Sequence, residues 1–329
     1  MPNPDVTIVV VPRDHFSDTR ESLESIYANT DVPFDLVYVD GRSPARIARY
    51  LREQSVSRGF RLMRTEHYLS PNSARNLGAQ AVQTRYVVFM DNDVVVAPNW
   101  LGPLVECAEA MGASIAGPLS FEDRPLHANV HFAGGEAGVS ETRVNGRIER
   151  HVVDKIFKTV PAERQRTGCA EFHCLMVRTE DLRRIGGFDE QMLSTRENLD
   201  FCMAIAAHGG AIYIEPRSRI TYLPPIRMAL ADVPFFALRW SDEWDLASFK
   251  HFCHKWRLDE DRYFQIQYRN LGWRRRDLMM RGGLLRWVPY WRLRAGAERL
   301  LRPIERRINR RIARRYAAAG HRTPSGAPQ

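Results

Sequence analysis

The triplet Asp91-Asn92-Asp93 carries two carboxylates two positions apart, directly after the apolar run YVVFM at residues 86–90. Such a run predicts a buried β-strand, and both carboxylates can face solvent where the chain turns at its end. Mg²⁺ and Mn²⁺ prefer a few carboxylate oxygens together with water and phosphate oxygens. The spacing therefore indicates a cation site that can bridge to a diphosphate, although a solvated acidic turn has the same pattern.

The elements that must position this triplet are short β-branched runs alternating with amphipathic stretches over the first hundred residues. This alternation is typical of βαβ units and a mainly parallel sheet. The predicted strands are at about residues 6–11, 34–39, 60–63 and 86–90, and the predicted helices at about 18–28, 44–54 and 72–83. Functional groups gather at the carboxyl ends of such strands, so we expect Asp14, Asp40 and the Asp91/Asp93 pair to line one crevice.

The middle of the chain, residues 121–165, is polar and weakly periodic, and it predicts an inserted loop or an irregular hairpin region. Beyond it the pattern indicates further elements, with a Gly186-Gly187 turn between the two helices. These elements are a strand at 171–177, helices at 179–185 and 198–208, and a strand at 211–214.

Composition excludes several classes of protein. With 329 residues and 44% hydrophobic content, the chain can bury a sizeable core. Its five cysteines are odd in number and lack paired CxxC spacing, which argues against a disulfide framework and a zinc site. No basic leader or membrane-spanning apolar run is visible. A reducing, cytoplasmic location is therefore expected.

Several motifs in order resemble family 2 glycosyltransferases. The run from Ser70 to Leu101, SPNSARNLGAQAVQTRYVVFMDNDVVVAPNWL, is similar to the core of that family, with VVVPRD, LVYVDGRS, IGGFDE and RENLDF as further matches. The resemblance implies a GT-A fold: a Rossmann-like, mainly parallel sheet flanked by helices. It divides residues 1–230 into a nucleotide-binding half (1–120) and an acceptor half (121–230). The composition of the remaining chain predicts a basic helical extension (231–316) and a disordered tail (317–329).

The resemblance also implies roles for individual residues in binding a nucleoside-diphosphate sugar, with uridine as the expected base. Pro12 and Asp14 would border the base, and Asp40 would contact the uracil or ribose. Arg75 and Asn76 would lie near the donor. Asp91 would meet the ribose and Asp93 the divalent cation, Mg²⁺ or Mn²⁺. Without a ligand, Asp40 would simply begin a turn with Gly41, and Asn76 would brace the adjoining loop.

Transfer with inversion needs a carboxylate near the acceptor hydroxyl to remove its proton. Relatives commonly place it in a Glu-Asp pair shortly after the GGFDE turn, and here that pair is Glu197-Asn198. An amide cannot act as a base at neutral pH, so we predict that Glu197 is the base and that Asp200, one helical turn later, orients Glu197 or the acceptor. The alternative is that these residues cap a helix and complement its dipole.

A second departure concerns the cation. Relatives often carry a histidine where the segment SRITYLPP has Tyr222, and tyrosine is a poor Mg²⁺ ligand at neutral pH. His173 and His208 are the nearest histidines in sequence, but a lone histidine is more often structural. The cation would then depend on Asp93, assisted by Asp91, the diphosphate and water.

The C-terminal part is basic and aromatic, with sixteen arginines from Arg269 to Arg315. Apolar residues recur at helical spacing at Leu300, Leu301, Ile304, Ile308 and Ile312. This pattern predicts an amphipathic helix suited to an anionic membrane, which would fit a lipid-linked acceptor. Packing on the catalytic domain or a homo-oligomer contact is the alternative, and nucleic acid is disfavoured because no nucleic-acid motif accompanies the charge.

The predicted function is transfer of a sugar from a nucleoside-diphosphate donor to a glycan or lipid-linked acceptor in cell-surface polysaccharide assembly. The enzyme would be metal-dependent and cytoplasmic, peripheral on the inner face of the membrane. Two alternatives stay open. One is a non-catalytic relative that binds a nucleotide or glycan, and the other is a nucleotidyltransferase, for which VVVPRDHFSD lacks the usual glycine-rich loop.

Overall fold

Valine-rich strands form the centre of the molecule. A computed structural model describes residues 5–225, 228–282 and 290–318, apart from the side chains of 280–282 and 290–301. The strands are β1 Val6–Val11, β2 Asp35–Gly41, β3 Arg61–Thr65, β4 Tyr86–Asp91, β5 Val94–Val96, β6 Ile115–Glu122, β7 Val130–Phe132, β8 Gly135–Val144, β9 Arg147–Ile156, β10 Gln165–Thr167, β11 Cys174–Arg178 and β12 Ile212–Tyr222. The helices are α1 Thr19–Asn29, α2 Ala45–Arg58, α3 Pro71–Ala79, α4 Leu101–Met111, α5 Thr179–Arg184, α6 Glu197–Ala207, α7 Val233–Arg239, α8 Asp242–Lys255, α9 Arg262–Asn270, α10 Trp273–Gly282 and α11 Tyr290–Ala318.

Ten of these strands form one mixed sheet in the order β10-β12-β6-β11-β4-β1-β2-β3, with β5 paired to β12 and β7 paired to β6. β1 is parallel to β2 and β4, and β2 is parallel to β3. β11 is antiparallel to both β4 and β6. The predicted GT-A-like sheet with flanking helices is confirmed, and β4, which precedes the acidic triplet, lies near its centre.

Both faces of the sheet are covered, because successive side chains of a strand point to opposite faces. Val9 and Val11 of β1 belong to one core cluster, while Ile8 and Val10 belong to the other. Helix α3 lies very close to the sheet at Gly78, where an added Cβ would come within 2.3 Å of a Val9 methyl carbon. This close approach fixes the position of α3, which carries Arg75 and Asn76.

Residues 121–165 are more regular than the sequence analysis predicted. β8 and β9 pair residue by residue from Gly135 with Ile156 to Val144 with Arg147. Asn145 and Gly146 between them both have positive φ, 50° and 83°. An Asn-Gly pair favours such a two-residue hairpin turn, so this signal was present in the sequence. The hairpin is largely exposed, which explains its weak hydrophobic alternation.

The C-terminal helices pack on the rest of the chain at the edge of the large sheet. Asp232 accepts hydrogen bonds from the Phe16 amide (3.2 Å) and the Ser17 hydroxyl (2.5 Å) of the segment that follows β1. The Phe235 ring of α7 lies 5.0 Å from the Phe16 ring and 5.3 Å from the Tyr68 ring. Helix α7 therefore lies against the sheet edge that carries the acidic triplet.

One face of α11 also contacts the rest of the chain. Its Asn309 side chain donates to the Ala237 carbonyl at 2.6 Å, and its Tyr316 hydroxyl donates to the Tyr68 carbonyl at 2.5 Å. Glu305 of α11 pairs with Arg275. Packing on the same chain is thus observed for this face. Of the predicted disordered tail, residues 317 and 318 belong to α11 and residues 319–329 lie outside the described residues.

No helix within the described ranges combines the length and the apolar character needed to cross a bilayer. All five cysteines are buried free thiols.

Candidate active site

Asn92, the middle residue of the acidic triplet, connects the end of β4 to the end of β1 through hydrogen bonds. The Asn92 side chain accepts a hydrogen bond from the Arg13 amide at 3.0 Å and donates to the His15 carbonyl at 2.7 Å. The Asn92 amide itself donates to the Val11 carbonyl. Asn92 therefore holds the loop after β1 beside Asp91 and Asp93, a function that the sequence analysis did not assign to it.

Asp91 is fully buried among cationic and imidazole partners. Its Oδ1 lies 3.2 Å from Arg75 Nη2, and its Oδ2 lies 3.4 Å from Arg13 Nη1 and 3.2 Å from His173 Nδ1. Burial acts to raise the pKa of Asp91, but Arg13, the hydrogen bond with His173 and Arg75 together hold it below the ordinary value. Asp91 is thus a well-partnered carboxylate.

Asp93 is in the opposite situation. It is fully buried, and neither carboxylate oxygen has a hydrogen-bond partner within the described part of the chain. The nearest imidazole nitrogen, His15 Nε2, lies 3.9 Å from Oδ2. Burial, then the charges of Asp91 and Asp14, raise the pKa of Asp93 well above its ordinary value. A buried carboxylate without partners is costly, and a bound cation would satisfy it.

A candidate cation site is formed by Asp91, Asp93 and His173, whose potential ligand atoms all lie within 4.8 Å of one another. Burial lowers the pKa of His173, which favours the neutral imidazole that metals bind. The Tyr222 ring stacks on His173 with centroids 4.0 Å apart. The donor set fits a divalent cation, as do the Asp93 oxygens, for which the described part of the chain offers no hydrogen-bond donor.

A cleft of about 230 Å³ adjoins this cluster and is lined by Arg13, Glu171, His173, Glu197 and Trp240, among others. A second cavity of about 490 Å³ shares His131, Tyr222 and Arg274 with it and reaches Asp14. The shared residues make the two cavities neighbours, so there is space beside the acidic triplet for a ligand of substantial size.

Glu197 is the first residue of α6 and lines the cleft. Its Oε1 lies 2.8 Å from Arg239 Nη2 and 3.6 Å from Arg13 Nη1. Arg239 is itself fully buried and also donates to the Ser194 carbonyl. Two guanidinium groups thus hold one buried carboxylate at the wall of the cleft.

Asp200 faces other partners. Lys255 Nζ lies 2.8 Å from its Oδ2, and Trp256 Nε1 donates to its Oδ1 at 2.9 Å. Burial raises its pKa. Asp200 therefore ties α6 to the end of α8, whereas Glu197 is tied to α7 and to the loop after β1.

The predicted base-binding residues lie at the ends of β1 and β2. Pro12 packs against Gly41, since a Cβ built on that glycine would be 3.2 Å from Pro12 Cγ. Asp14 accepts hydrogen bonds from the Tyr222 hydroxyl and Trp240 Nε1, both at 3.0 Å. Asp40 accepts from the Ser43 amide at 2.8 Å and pairs with Arg64. In this structure Asp14 and Asp40 therefore have separate partners.

Arg75 and Asn76 are neighbours on α3 with different surroundings. Arg75 contacts Asp91 and lies over the Phe172 ring, 3.9 Å from its centroid. Asn76 donates to the Phe188 carbonyl (2.8 Å) and to Glu190 Oε1 (2.9 Å), and accepts from the Phe188 amide (2.9 Å). The structure thus brings Arg75 to the acidic triplet and Asn76 to the turn that follows Gly187.

Arg13, Arg239 and Trp240 were not predicted as site residues. Arg13 lies between Pro12 and Asp14, so its proximity to the triplet could have been inferred from the strand end. Arg239 ends α7 and Trp240 follows it, and the Trp240 ring lies 4.3 Å from the guanidinium group of Arg239 and 4.2 Å from that of Arg274. No spacing in the sequence relates them to Glu197 or Asp14.

A mixed sheet flanked by helices, with an acidic triplet at the end of a central strand, is typical of the GT-A fold. Residues 7–185 match the model of the family described as "Glycosyl transferase family 2". The chain belongs to glycosyl transferase family 2, which confirms the resemblance.

Two of the relatives are named as biosynthesis proteins for succinoglycan and O-antigen. The succinoglycan biosynthesis protein ExoO of Rhizobium meliloti is 33% identical over 34% of this chain and 32% of its own length. The O-antigen biosynthesis protein RfbC of Myxococcus xanthus is 23% identical over 67% of this chain and 17% of its own. An uncharacterized protein, y4gI of Sinorhizobium fredii, is 26% identical over 63% of this chain and 23% of its own. The chain thus spans about a third or less of these relatives.

Solved structures share the fold at low identity. GalNAc-T7, crystallised with UDP, GalNAc and Mn²⁺, matches with a TM-score of 0.53 and 16% identity over 87% of this chain and 55% of that one. Residues 1–349 of TarS from S. aureus, in complex with UDP, match with a TM-score of 0.50 and 16% identity over 95% of this chain and 88% of that one.

Proposed function

We propose that this protein transfers a sugar, with inversion, from a nucleoside-diphosphate donor to a glycan or lipid-linked acceptor. The observation that carries the proposal is the buried carboxylate of Asp93, which has no hydrogen-bond partner among the described residues and lies beside Asp91, next to a cleft that contains Glu197. UDP in both structural neighbours supports a uridine donor, and the names of ExoO and RfbC support a product in cell-surface polysaccharide.

Asp93 and Asp91 would hold a divalent cation against the donor diphosphate. When bound, the cation would neutralise the charge that develops on the leaving nucleoside diphosphate. Arg75 and Arg13 hold Asp91 from two sides, so its orientation is fixed before a donor arrives. Pro12, Asp14 and Asp40 at the ends of β1 and β2 would border the nucleoside.

Glu197 is the proposed general base. An acceptor hydroxyl in the cleft would give its proton to this carboxylate as the hydroxyl oxygen attacks the anomeric carbon of the donor. Arg239 and Arg13 lie 2.8 and 3.6 Å from its Oε1, and these contacts fix the direction of the carboxylate. We propose that Asp200 positions α6 through Lys255 and Trp256, and that Asn76 supports the turn near Gly187.

Nucleotide titration tests the proposal. We expect UDP to bind with Mn²⁺ at least tenfold more tightly than without it, as measured by calorimetry. Asp93→Asn should remove this dependence on Mn²⁺, whereas Asp31→Asn, at an exposed aspartate, should keep it. Equal UDP affinity with and without Mn²⁺ in the wild type would contradict metal-dependent donor binding.

A sugar-nucleotide panel separates the enzyme from a non-catalytic binding protein, which the amide at Asn198 keeps open. Slow hydrolysis of one donor in the panel, lost in Glu197→Gln, is the expected result. Donor binding without hydrolysis or transfer on any donor would instead favour the non-catalytic relative. Release of pyrophosphate from a nucleoside triphosphate would favour a nucleotidyltransferase.

The outward face of α11 is proposed to bind an anionic membrane. Ile304 and Ile308 are 59% and 53% exposed on this face, while Glu305 and Asn309 face the protein. The arginines exposed around them are Arg307, Arg310, Arg311, Arg314 and Arg315. Each arginine near an anionic surface contributes on the order of 1 kcal/mol, and the two isoleucines can enter the interface.

Vesicle sedimentation tests this second part. Binding to vesicles that contain phosphatidylglycerol should exceed binding to pure phosphatidylcholine and should fall with added NaCl. Substituting both Ile304 and Ile308 with serine should weaken it about tenfold, whereas Val56→Ser, at an 86% exposed residue of α2, should not. Equal binding to neutral and anionic vesicles would exclude this role of the helix.

A further inference from the structure

Tyr222 lies at the position where relatives often carry a metal-binding histidine, and its side chain is otherwise engaged. Its hydroxyl donates to Asp14 Oδ2 at 3.0 Å, and its ring stacks on His173 at 4.0 Å with an angle of 20° between the planes. A phenol is a poor ligand for a hard divalent cation. Tyr222 therefore packs against the His173 imidazole and holds its position.

That imidazole presents one nitrogen to the acidic triplet. His173 immediately precedes β11, and β11 lies beside β4, so its ring reaches the end of β4 from the neighbouring strand. His173 Nδ1 lies 3.2 Å from Asp91 Oδ2 and belongs to the cluster with Asp93. Both Asp93 oxygens are buried and lack hydrogen-bond partners in the described ranges, so this cluster contains a carboxyl group whose hydrogen bonds are unsatisfied.

The other nitrogen of His173 faces a second carboxylate. His173 Nε2 lies 3.7 Å from Glu171 Oε2, which also lies 3.2 Å from His131 Nε2. His131 Nδ1 lies in turn 3.0 Å from Glu122 Oε2. In this structure, His173 Nδ1 is hydrogen-bonded to Asp91 Oδ2. A carboxylate that faces Nε2 favours the other tautomer, with the proton on Nε2, and this frees Nδ1 to bind a metal in place of that hydrogen bond.

We propose that His173, through Nδ1, supplies the nitrogen ligand that Tyr222 does not, and that the Glu171 carboxylate, 3.7 Å from Nε2, positions it by favouring the tautomer with its proton on Nε2. The divalent cation would then be held by Asp91, Asp93 and His173. The nitrogen ligand would come from the residue before β11, and not from the end of β12, where relatives often carry a histidine. This inference rests on the proposed metal-dependent donor binding.

Pulsed electron paramagnetic resonance of Mn²⁺ tests the ligand directly on the full chain with UDP. We expect modulation from one directly bound ¹⁴N nucleus in the wild type and its loss in His173→Ala, while His208→Ala, at an exposed histidine, keeps it. If His173→Ala fails to fold, ¹⁴N modulation that persists in both His15→Ala and His131→Ala assigns the signal to His173, and its loss in either variant overturns the assignment. Bound Mn²⁺ without ¹⁴N modulation would overturn the inference and leave metal-dependent donor binding intact.

Affinity measurements add the positioning residue and a rescue. Mn²⁺ affinity in the presence of UDP should fall about 100-fold in His173→Ala and about tenfold in Glu171→Gln. Adding Tyr222→His to His173→Ala should restore much of the loss, because the histidine of the relatives is then back in place. Unchanged affinity in His173→Ala would refute the inference.

A second set of potential ligands, His131, Glu171 and His173, competes for the same imidazole. Modulation from two ¹⁴N nuclei, reduced to one in His131→Ala, would place the cation there and overturn the assignment. If wild-type protein with UDP binds no Mn²⁺ at all, the proposed metal dependence itself fails, and the inference fails with it.

Discussion

Arg239 Nη2 lies 2.8 Å from Glu197 Oε1, and both side chains are buried although they are 42 residues apart. The arginine comes from α7, and the glutamate begins α6 at the wall of the cleft. The helices that follow the family 2 core are therefore built into the candidate active site. Substitution of Arg239 should therefore mainly lower the stability of the protein, whereas substitution of Glu197, the proposed base, should mainly lower the rate of sugar transfer.

For Glu197→Gln we predict a 10²- to 10⁴-fold lower rate of sugar transfer with nearly unchanged UDP affinity, because glutamine keeps the shape but cannot accept a proton. Transfer rates and calorimetric UDP binding measure the two effects. Asp200→Asn is the matched comparison, since Asp200 is bound to Lys255 and Trp256 instead. Equal rates for the wild type and Glu197→Gln would exclude Glu197 as the base.

Arg239→Ala should lower the free energy of unfolding by about 3–5 kcal/mol, because it leaves Glu197 buried with a charge that has lost its nearest partner. Arg85→Ala is the control, since Arg85 and Glu109 form a pair whose side chains are 48% and 42% exposed. That exposed pair should contribute at most about 1 kcal/mol. Urea unfolding of both variants measures the two losses in free energy of unfolding. Losses of similar size would argue against a structural role for the buried pair of Arg239 and Glu197.

Gly186 and Gly187 both have positive φ, 80° and 86°, but only Gly187 faces Asn76. A Cβ on Gly187 would lie 2.8 Å from Asn76 Oδ1, while a Cβ on Gly186 would meet nothing within 4 Å. We predict that Gly186→Ala costs about 1 kcal/mol for the left-handed backbone. Gly187→Ala should cost at least about 1 kcal/mol more, because it displaces the Asn76 hydrogen bonds.

Denaturant unfolding in two backgrounds checks this coupling. With Asn76→Ala already present, the two glycine substitutions should cost similar amounts, since the contact that distinguishes them is gone. If Gly187→Ala is no more costly than Gly186→Ala when Asn76 is intact, Asn76 does not brace this turn.

The sequence predicted the part of the fold whose hydrophobic pattern is strong. The predicted strand at 6–11 coincides with β1, and the one at 86–90 is one residue shorter than β4. Their parallel pairing brings Asp14 and the acidic triplet to one edge, as the topology required. Local patterns suffice here because burial on both faces of the sheet constrains every residue of these strands.

The remainder depended on contacts between distant residues. β6 and β5 were not predicted, and β12 extends to Tyr222, eight residues beyond the predicted strand at 211–214. Arg239 reaches Glu197 only because α7 folds back over the sheet edge. The hydrophobic periodicity of the sequence does not predict such a contact between distant residues. The ligand atom of His173 likewise depends on β11 lying beside β4 in antiparallel register.

Asp245 of α8 gives a prediction about pH. Burial raises its pKa from 3.8 to about 6, although Ser194 donates to it and Arg239 is nearby. Because the folded state holds this proton more tightly than the unfolded chain, the contribution to stability is full below about pH 4 and is lost as pH rises through about 6. The loss is on the order of 2 kcal/mol, because a tenfold difference in proton affinity is worth about 1.4 kcal/mol and the half-buried side chain is partly screened by solvent.

Asp245→Asn should remove this pH-dependent contribution to stability. The free energy of unfolding of the variant should therefore fall less than that of the wild type between pH 4 and pH 7. Asp31→Asn, at an exposed aspartate, controls for the loss of one negative charge. Urea unfolding at several pH values measures the difference between each variant and the wild type. A constant difference for Asp245→Asn over this range would mean that Asp245 ionises equally easily in the folded and unfolded states.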